Sequence, residues 1–189
     1  VQANMVDLIV SISFVVLLYG VGSGEGGVII QFLLTALYVL WLLVLKPRAR
    51  RSLVVLQAGI AVFVGSLALY ITSYEWTSSA VVIGMWIIGY STARHVLAAY
   101  DEKELTLLSF VWGLVFAELG WLAYHWTIAY NLPFITGVKL PQITLITLAI
   151  SFLAERAYAS YDQYKVVRMT DIAMPALLSV GVIVLLLVL

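Results

Sequence analysis

The chain has 189 residues, of which 63% are hydrophobic and 11% charged, and its formal net charge is zero. Soluble domains average about 45–50% apolar and about 25% charged, so an ordinary soluble domain is excluded. Zero net charge excludes a broad basic face for nucleic acid. The absence of cysteine excludes disulfides, thiolate metal sites and cysteine nucleophiles.

Seven apolar segments follow one another, most near or above the roughly 18 residues needed to cross about 30 Å of hydrocarbon. The first covers residues 5–21. It has no Lys or Arg before it and carries Asp7 at its entry, so it reads as a retained span rather than a cleaved signal. The glycine-rich turn "GSGEGG" leads to the second span, 27–45. The basic run "KPRARR" separates that from the third, 52–74. "EWTSS" links the third to the fourth, 79–100, and the turn "DEKE" precedes the fifth, 105–130. The loop "NLPFITGVKLP", with two prolines and a glycine, leads to the sixth, 141–159. The seventh, 171–189, is almost pure hydrocarbon.

Backbone polar groups in a bilayer must pair within their own segment, so the spans are predicted to be helices. The expectation is an all-α polytopic integral membrane bundle, a single domain over residues 1–189. Orientation follows from the basic residues. With the amino end inside, Lys46, Arg48, Arg50, Arg51, Arg94, Lys103, Arg156, Lys165 and Arg168 lie on the inner side, and only Lys139 lies outside. The C-terminus is then outside, and the membrane is an inner or plasma membrane.

Polar residues inside the spans are the candidate site. Counting 1.5 Å per residue from Leu105 puts Glu118 about 20 Å deep, slightly beyond the midplane. His125 follows two turns later on the same face, with Trp121 and Leu122 between them and Tyr124 alongside. Leu114, Val111 and Leu107 extend that stripe as apolar residues. Gln31 and Thr144 fall at a similar depth to Glu118. A second polar tier near the inner face holds Asp7, Gln57, Arg94, His95, Glu155 and Arg156. Arg94 lies about 9 Å deep and about 10 Å from Glu118 in depth. It either snorkels to the interface or turns toward a carboxylate such as Asp7, Glu155 or Asp101.

An ionised acid at the bilayer centre costs at least about 2.5–3.5 kcal/mol, and taking up a proton relieves that cost. The leading functional expectation is passage or proton-coupled exchange of a small solute or ion. Its pathway residues are Glu118, Gln31, His125, Arg94, Tyr124 and Trp121. The competing expectation is a non-catalytic structural or accessory subunit whose polar groups specify helix packing. No enzyme is expected, since metalloprotease and nucleophile-elbow motifs are lacking. No cofactor or metal is expected either. The two histidines fall at opposite faces, and the seventh span has no lysine for a retinal Schiff base. An aromatic groove for a non-covalent pigment or lipid stays open. Membrane lipids are the expected partners, with a small solute or proton as cargo. Gly20, Gly22, Gly65, Gly84, Gly89 and Gly113 permit close helix contacts within one chain, between copies or with a partner subunit.

Overall fold

A computed structural model describes residues 4–21, 25–47, 50–73, 76–126, 128–131 and 139–188. Gly22, Arg48, Tyr74, Leu189 and most of the proline-containing loop lie outside the described residues. Seven α-helices dominate: α1 (Asn4–Gly20), α2 (Glu25–Leu40), α3 (Arg51–Thr72), α4 (Ser78–Ala98), α5 (Leu105–His125), α6 (Gln142–Tyr164) and α7 (Met169–Val188). A π-helical turn over Trp41–Leu45 continues α2, closed by Lys46 N–H donating to Trp41 O at 2.9 Å. Six of these helical segments are long and apolar enough to cross a membrane, as in a multi-pass membrane protein. The exception is α1, whose 17 residues span only about 25 Å.

Two expected boundaries are corrected. The fifth helix ends at His125 rather than near residue 130, because Ala129–Asn131 forms a short strand, β1, antiparallel to β2 (Lys139–Pro141). The sixth helix runs past residue 159 to Tyr164. There Lys165 takes a left-handed conformation, φ 58°, and its N–H closes on Tyr161 O at 2.7 Å. The β-hairpin also caps α7. Tyr130 Oη donates to Leu186 O at 2.8 Å and the Gln142 amide donates to the same carbonyl. That carbonyl belongs to the last helical turn, which has no intrahelical donor.

The central helix is α3. Of its most apolar window 61% is buried, against 6% for the second span and 11% for α7. One side of α3 joins α1 and the π-turn in a cluster of Val6, Val10, Phe14, Leu17, Trp41, Ala61, Val64 and Ala68. The other side joins α4, α5 and the start of α6 through Val62, Tyr70, Val81, Met85, Ile88, Phe116 and Ile143.

One end of the bundle carries Lys46 and Arg51 in ion pairs. Lys46 pairs with Asp7 at 3.5 Å, and Arg51 at the start of α3 reaches both Asp162 of α6 and Ala99 O just past α4, each at 3.3 Å. This end is called the basic end below.

Candidate functional site

The rotation of α5 decides where its polar residues go. Ser109, Gly113, Phe116 and Gly120 are its buried residues, spaced four, three and four apart, which is one helix stripe. The stripe meets α4 without room for another atom. A Cβ built on Gly89 would lie 2.6 Å from Phe116 Cβ, one on Gly120 2.7 Å from Met85 Cγ, and one on Gly113 2.8 Å from Trp86 Nε1. Tyr70 of α3 locks the same seam by donating to Gly120 O at 2.7 Å.

Glu118 is two residues from both Phe116 and Gly120, about 200° around the helix from either. It therefore faces outward and is exposed, as are Leu107, Val111, Leu114, Trp121, Leu122 and His125. The stripe expected from sequence is one face of α5, and that face is the surface of the bundle.

The other expected pathway residues are placed separately. The Gln31 amide donates to Leu18 O and Val21 O, at 3.3 and 3.1 Å, so it caps the C-terminal end of α1 rather than meeting Glu118. Arg94 donates to Tyr90 Oη at 2.7 Å and Thr106 Oγ1 at 3.4 Å, on the α4–α5 surface, instead of pairing with a carboxylate. Tyr124 donates to Trp76 O at 2.7 Å, and His125 Nδ1 lies 2.9 Å from Trp121 O with the two rings 4.6 Å apart. Trp121, Tyr124 and His125 thus form an aromatic cluster at the end of α5. His95 meets Gln57 at 2.8 Å. Thr144 is fully buried, and its hydroxyl has no hydrogen-bond partner among the described residues.

The space in the bundle lies elsewhere. A cavity of about 520 Å³ sits between α3, α4, α5 and α6. Its walls are almost wholly apolar, with Val55, Gly59 and Val62 from α3, Ala93 and Val96 from α4, Trp112 from α5 and Leu148 from α6. It is open to the outside, since the lining residues Leu56, Leu108, Val111 and Phe152 are exposed. It extends from Ser52 to Val62 along α3 and from Tyr158 to Leu148 along α6. Ten residues of helix make about 15 Å, half the hydrocarbon thickness. The groove is therefore about as long as one leaflet is thick. Ser151 lines it, and its Oγ is shielded from solvent without a hydrogen-bond partner among the described residues.

Charge gathers at the basic end of this groove. Glu155, a buried lining residue, accepts from Tyr100 Oη at 2.8 Å and from Arg156 Nε at 2.6 Å, so both carboxylate oxygens are engaged. Burial, and next the hydrogen bond to Glu155, push the Tyr100 phenol up to about 12. Tyr100 therefore keeps its proton and its donor role at ordinary pH. Tyr158, also lining the groove, donates to Glu102 in the turn between α4 and α5. That bond, and next the N–H of Glu104, hold the Glu102 carboxyl below the usual range. The Tyr100 and Tyr158 rings meet edge to face at 5.1 Å. Arg51 lies over the Tyr100 ring at 4.1 Å and Arg156 over the Phe152 ring at 5.9 Å.

No family model, curated protein or solved structure matches this chain. The site is therefore read from its own geometry.

Sequence reasoning placed Glu155 and Arg156 in a polar tier but missed the groove beside them. The available signal was the i, i+3 pair Glu155 and Tyr158 on a helix whose next turns carry Ser151 and Leu148. Tyr100 comes from another helix end, and its approach is a tertiary fact.

Proposed function

We propose that this protein is an integral membrane protein with seven spans, its amino end and basic end on the inner side. Its work is to bind, and exchange with the adjacent leaflet, a small apolar or amphiphilic molecule in the α3–α6 groove. The reading is of a binding and exchange protein rather than an enzyme. The observation that carries it is the open, apolar cavity of about 520 Å³, as long as one leaflet is thick. Apolar ligand sites are concave, mostly hydrophobic and fixed by a few polar groups. Here Ser151 lines the groove with a hydroxyl that has no partner among the described residues, while Glu155 and Tyr158 at its basic end are held by Arg156, Tyr100 and Glu102. Glu118 is not among the lining residues, so the small-molecule reading moves from Glu118 to this groove.

The test uses the purified chain in nonionic detergent and a polyene fatty acid whose fluorescence rises in apolar surroundings. Saturable binding of about one probe per chain is expected. Gly59→Phe should abolish it, since Gly59 lines the cavity and a built Cβ meets Leu148 Cδ1 at an ordinary contact distance of 3.8 Å, so the added ring would fill the groove. Ala93→Phe is the second filling variant, with thermal unfolding as the control for folding. Undiminished binding in both folded variants would overturn the proposal.

The alternative reading, a structural or accessory subunit, is favoured by the exposure of Glu118 on α5. An acid facing lipid within a span is costly, and a covering protein surface would relieve it. Under that reading Glu118→Leu lowers the oligomeric mass on gel filtration in mild detergent, whereas under the groove reading both mass and probe binding are unchanged.

A further inference from the structure

We infer that the groove takes an amphiphile with an anionic headgroup, a phosphate or carboxylate, held at the mouth by Arg51 and Arg156. The inference rests on the groove reading above and adds the chemistry of the polar end.

Two headgroup charges are conceivable at a mouth made of acids, tyrosines and arginines. A cationic headgroup would need the acids and the aromatic faces. Glu155, Glu102 and the Tyr100 face are already taken. Glu155 is engaged by Arg156 and Tyr100, and Glu102 by Tyr158 and the Glu104 N–H. The Tyr100 face is covered by Arg51. At Glu155 and at the Tyr100 face the chain's own guanidinium groups thus occupy the places a ligand cation would take.

The arginines are not used up. Arg156 spends Nε on Glu155 and is 44% exposed; Arg51 spends Nε and Nη1 on Ala99 O and Asp162 and is 53% exposed. A guanidinium carries five N–H donors in a planar fork suited to carboxylate and phosphate. Each arginine therefore has donors left at the level where the tail-binding groove ends. Phe152 ties the two parts together, because it lines the groove and lies under Arg156. A tail in the groove would put its headgroup beside that arginine. Basic pockets between membrane helices take anionic headgroups by this chemistry.

The experiment measures lipid adducts of the full chain by native mass spectrometry from nonionic detergent. The probes are phosphatidylglycerol, phosphatidylcholine and diacylglycerol with the same acyl chains, and inorganic phosphate alone. Phosphatidylglycerol is expected to bind best. Arg51→Gln and Arg156→Gln should each weaken it about fivefold and leave diacylglycerol unchanged. Arg51→Lys and Arg156→Lys, which keep the charge, should retain most of the preference and serve as folded controls. Equal binding of phosphatidylglycerol and diacylglycerol by the parent overturns the headgroup inference and leaves the groove reading standing. Tighter binding of phosphatidylcholine than of phosphatidylglycerol also overturns it. Absence of any lipid adduct on the parent, or adducts undiminished by Gly59→Phe, overturns the groove reading itself. Inorganic phosphate that binds at the same arginines and displaces lipid overturns a lipid as the source of the anion; failure to displace supports it.

Discussion

The helix α5 has a tight neighbour and a loose one, and the contrast explains the architecture. Against α4, Gly89, Gly113 and Gly120 each face a large side chain from the opposite helix, Phe116, Trp86 and Met85. The two backbones close until there is no room for a methyl group. Toward α6 a cavity intervenes, lined on the facing helices α3, α4 and α6 by the small residues Ala58, Gly59, Ala93 and Ala154, and there Gly59 meets Leu148 at ordinary contact distance. Small residues alone do not bring helices together. A bulky side chain must press into the notch, as Phe116 does at Gly89; where it stops at ordinary contact distance, as Leu148 does at Gly59, a groove is left. The first arrangement suits a permanent seam and the second a replaceable occupant.

The largest effect that would break this contrast is at Gly89. Gly89→Ala forces the added carbon into Phe116 and should cost about 1–3 kcal/mol, read as a lowered unfolding midpoint in detergent. The same substitution at Gly59 should be neutral or gain up to about 1 kcal/mol, because alanine is the better helix former. Equal effects at the two sites would erase the distinction. The next largest effect is Tyr70→Phe, which removes the hydroxyl bonded to Gly120 O. It should cost about 1 kcal/mol by the same measurement and leave probe binding in the groove unchanged.

The smallest effect concerns pH and the groove mouth. The folded Glu102 carboxyl lies below its unfolded value, chiefly through the Tyr158 hydrogen bond. The contribution of this contact is therefore complete above the unfolded value and is lost as pH falls through the folded one. The chain has no native cysteine, so Leu108→Cys at the groove rim reports on access alone. Its reaction with a water-soluble reagent, corrected for thiolate content, should rise only at acid pH. In Glu102→Gln the acid dependence should vanish. A rise at alkaline pH would have the wrong sign and would remove Glu102 from the mouth's control.

Much of the fold was legible in the apolar runs, because backbone pairing in hydrocarbon leaves few alternatives to helices. The expected spans 105–130 and 171–189 overlap most of the observed helices Leu105–His125 and Met169–Val188. The end of the fifth helix was not legible, since Ala129–Asn131 is held by pairing with Lys139–Pro141, a contact across the chain. Glu118 was grouped with His125 on one face, and both side chains are exposed. The direction of that face depended on the opposite stripe, Ser109, Gly113, Phe116 and Gly120, whose spacing was present in the sequence but whose partner was not. Gln31 shows the same limit. Its depth matched Glu118, but depth is one coordinate of three, and the amide turns to the open carbonyls of α1.

The sequence by itself determined that this chain is helical, apolar enough for membrane spans, and basic at one end, because those properties follow from residue type and periodicity. Only the tertiary structure decided which face of each helix is inside. That choice turns on which bulky side chain lies opposite which glycine. It placed Glu118 on the surface and opened the groove beside Glu155.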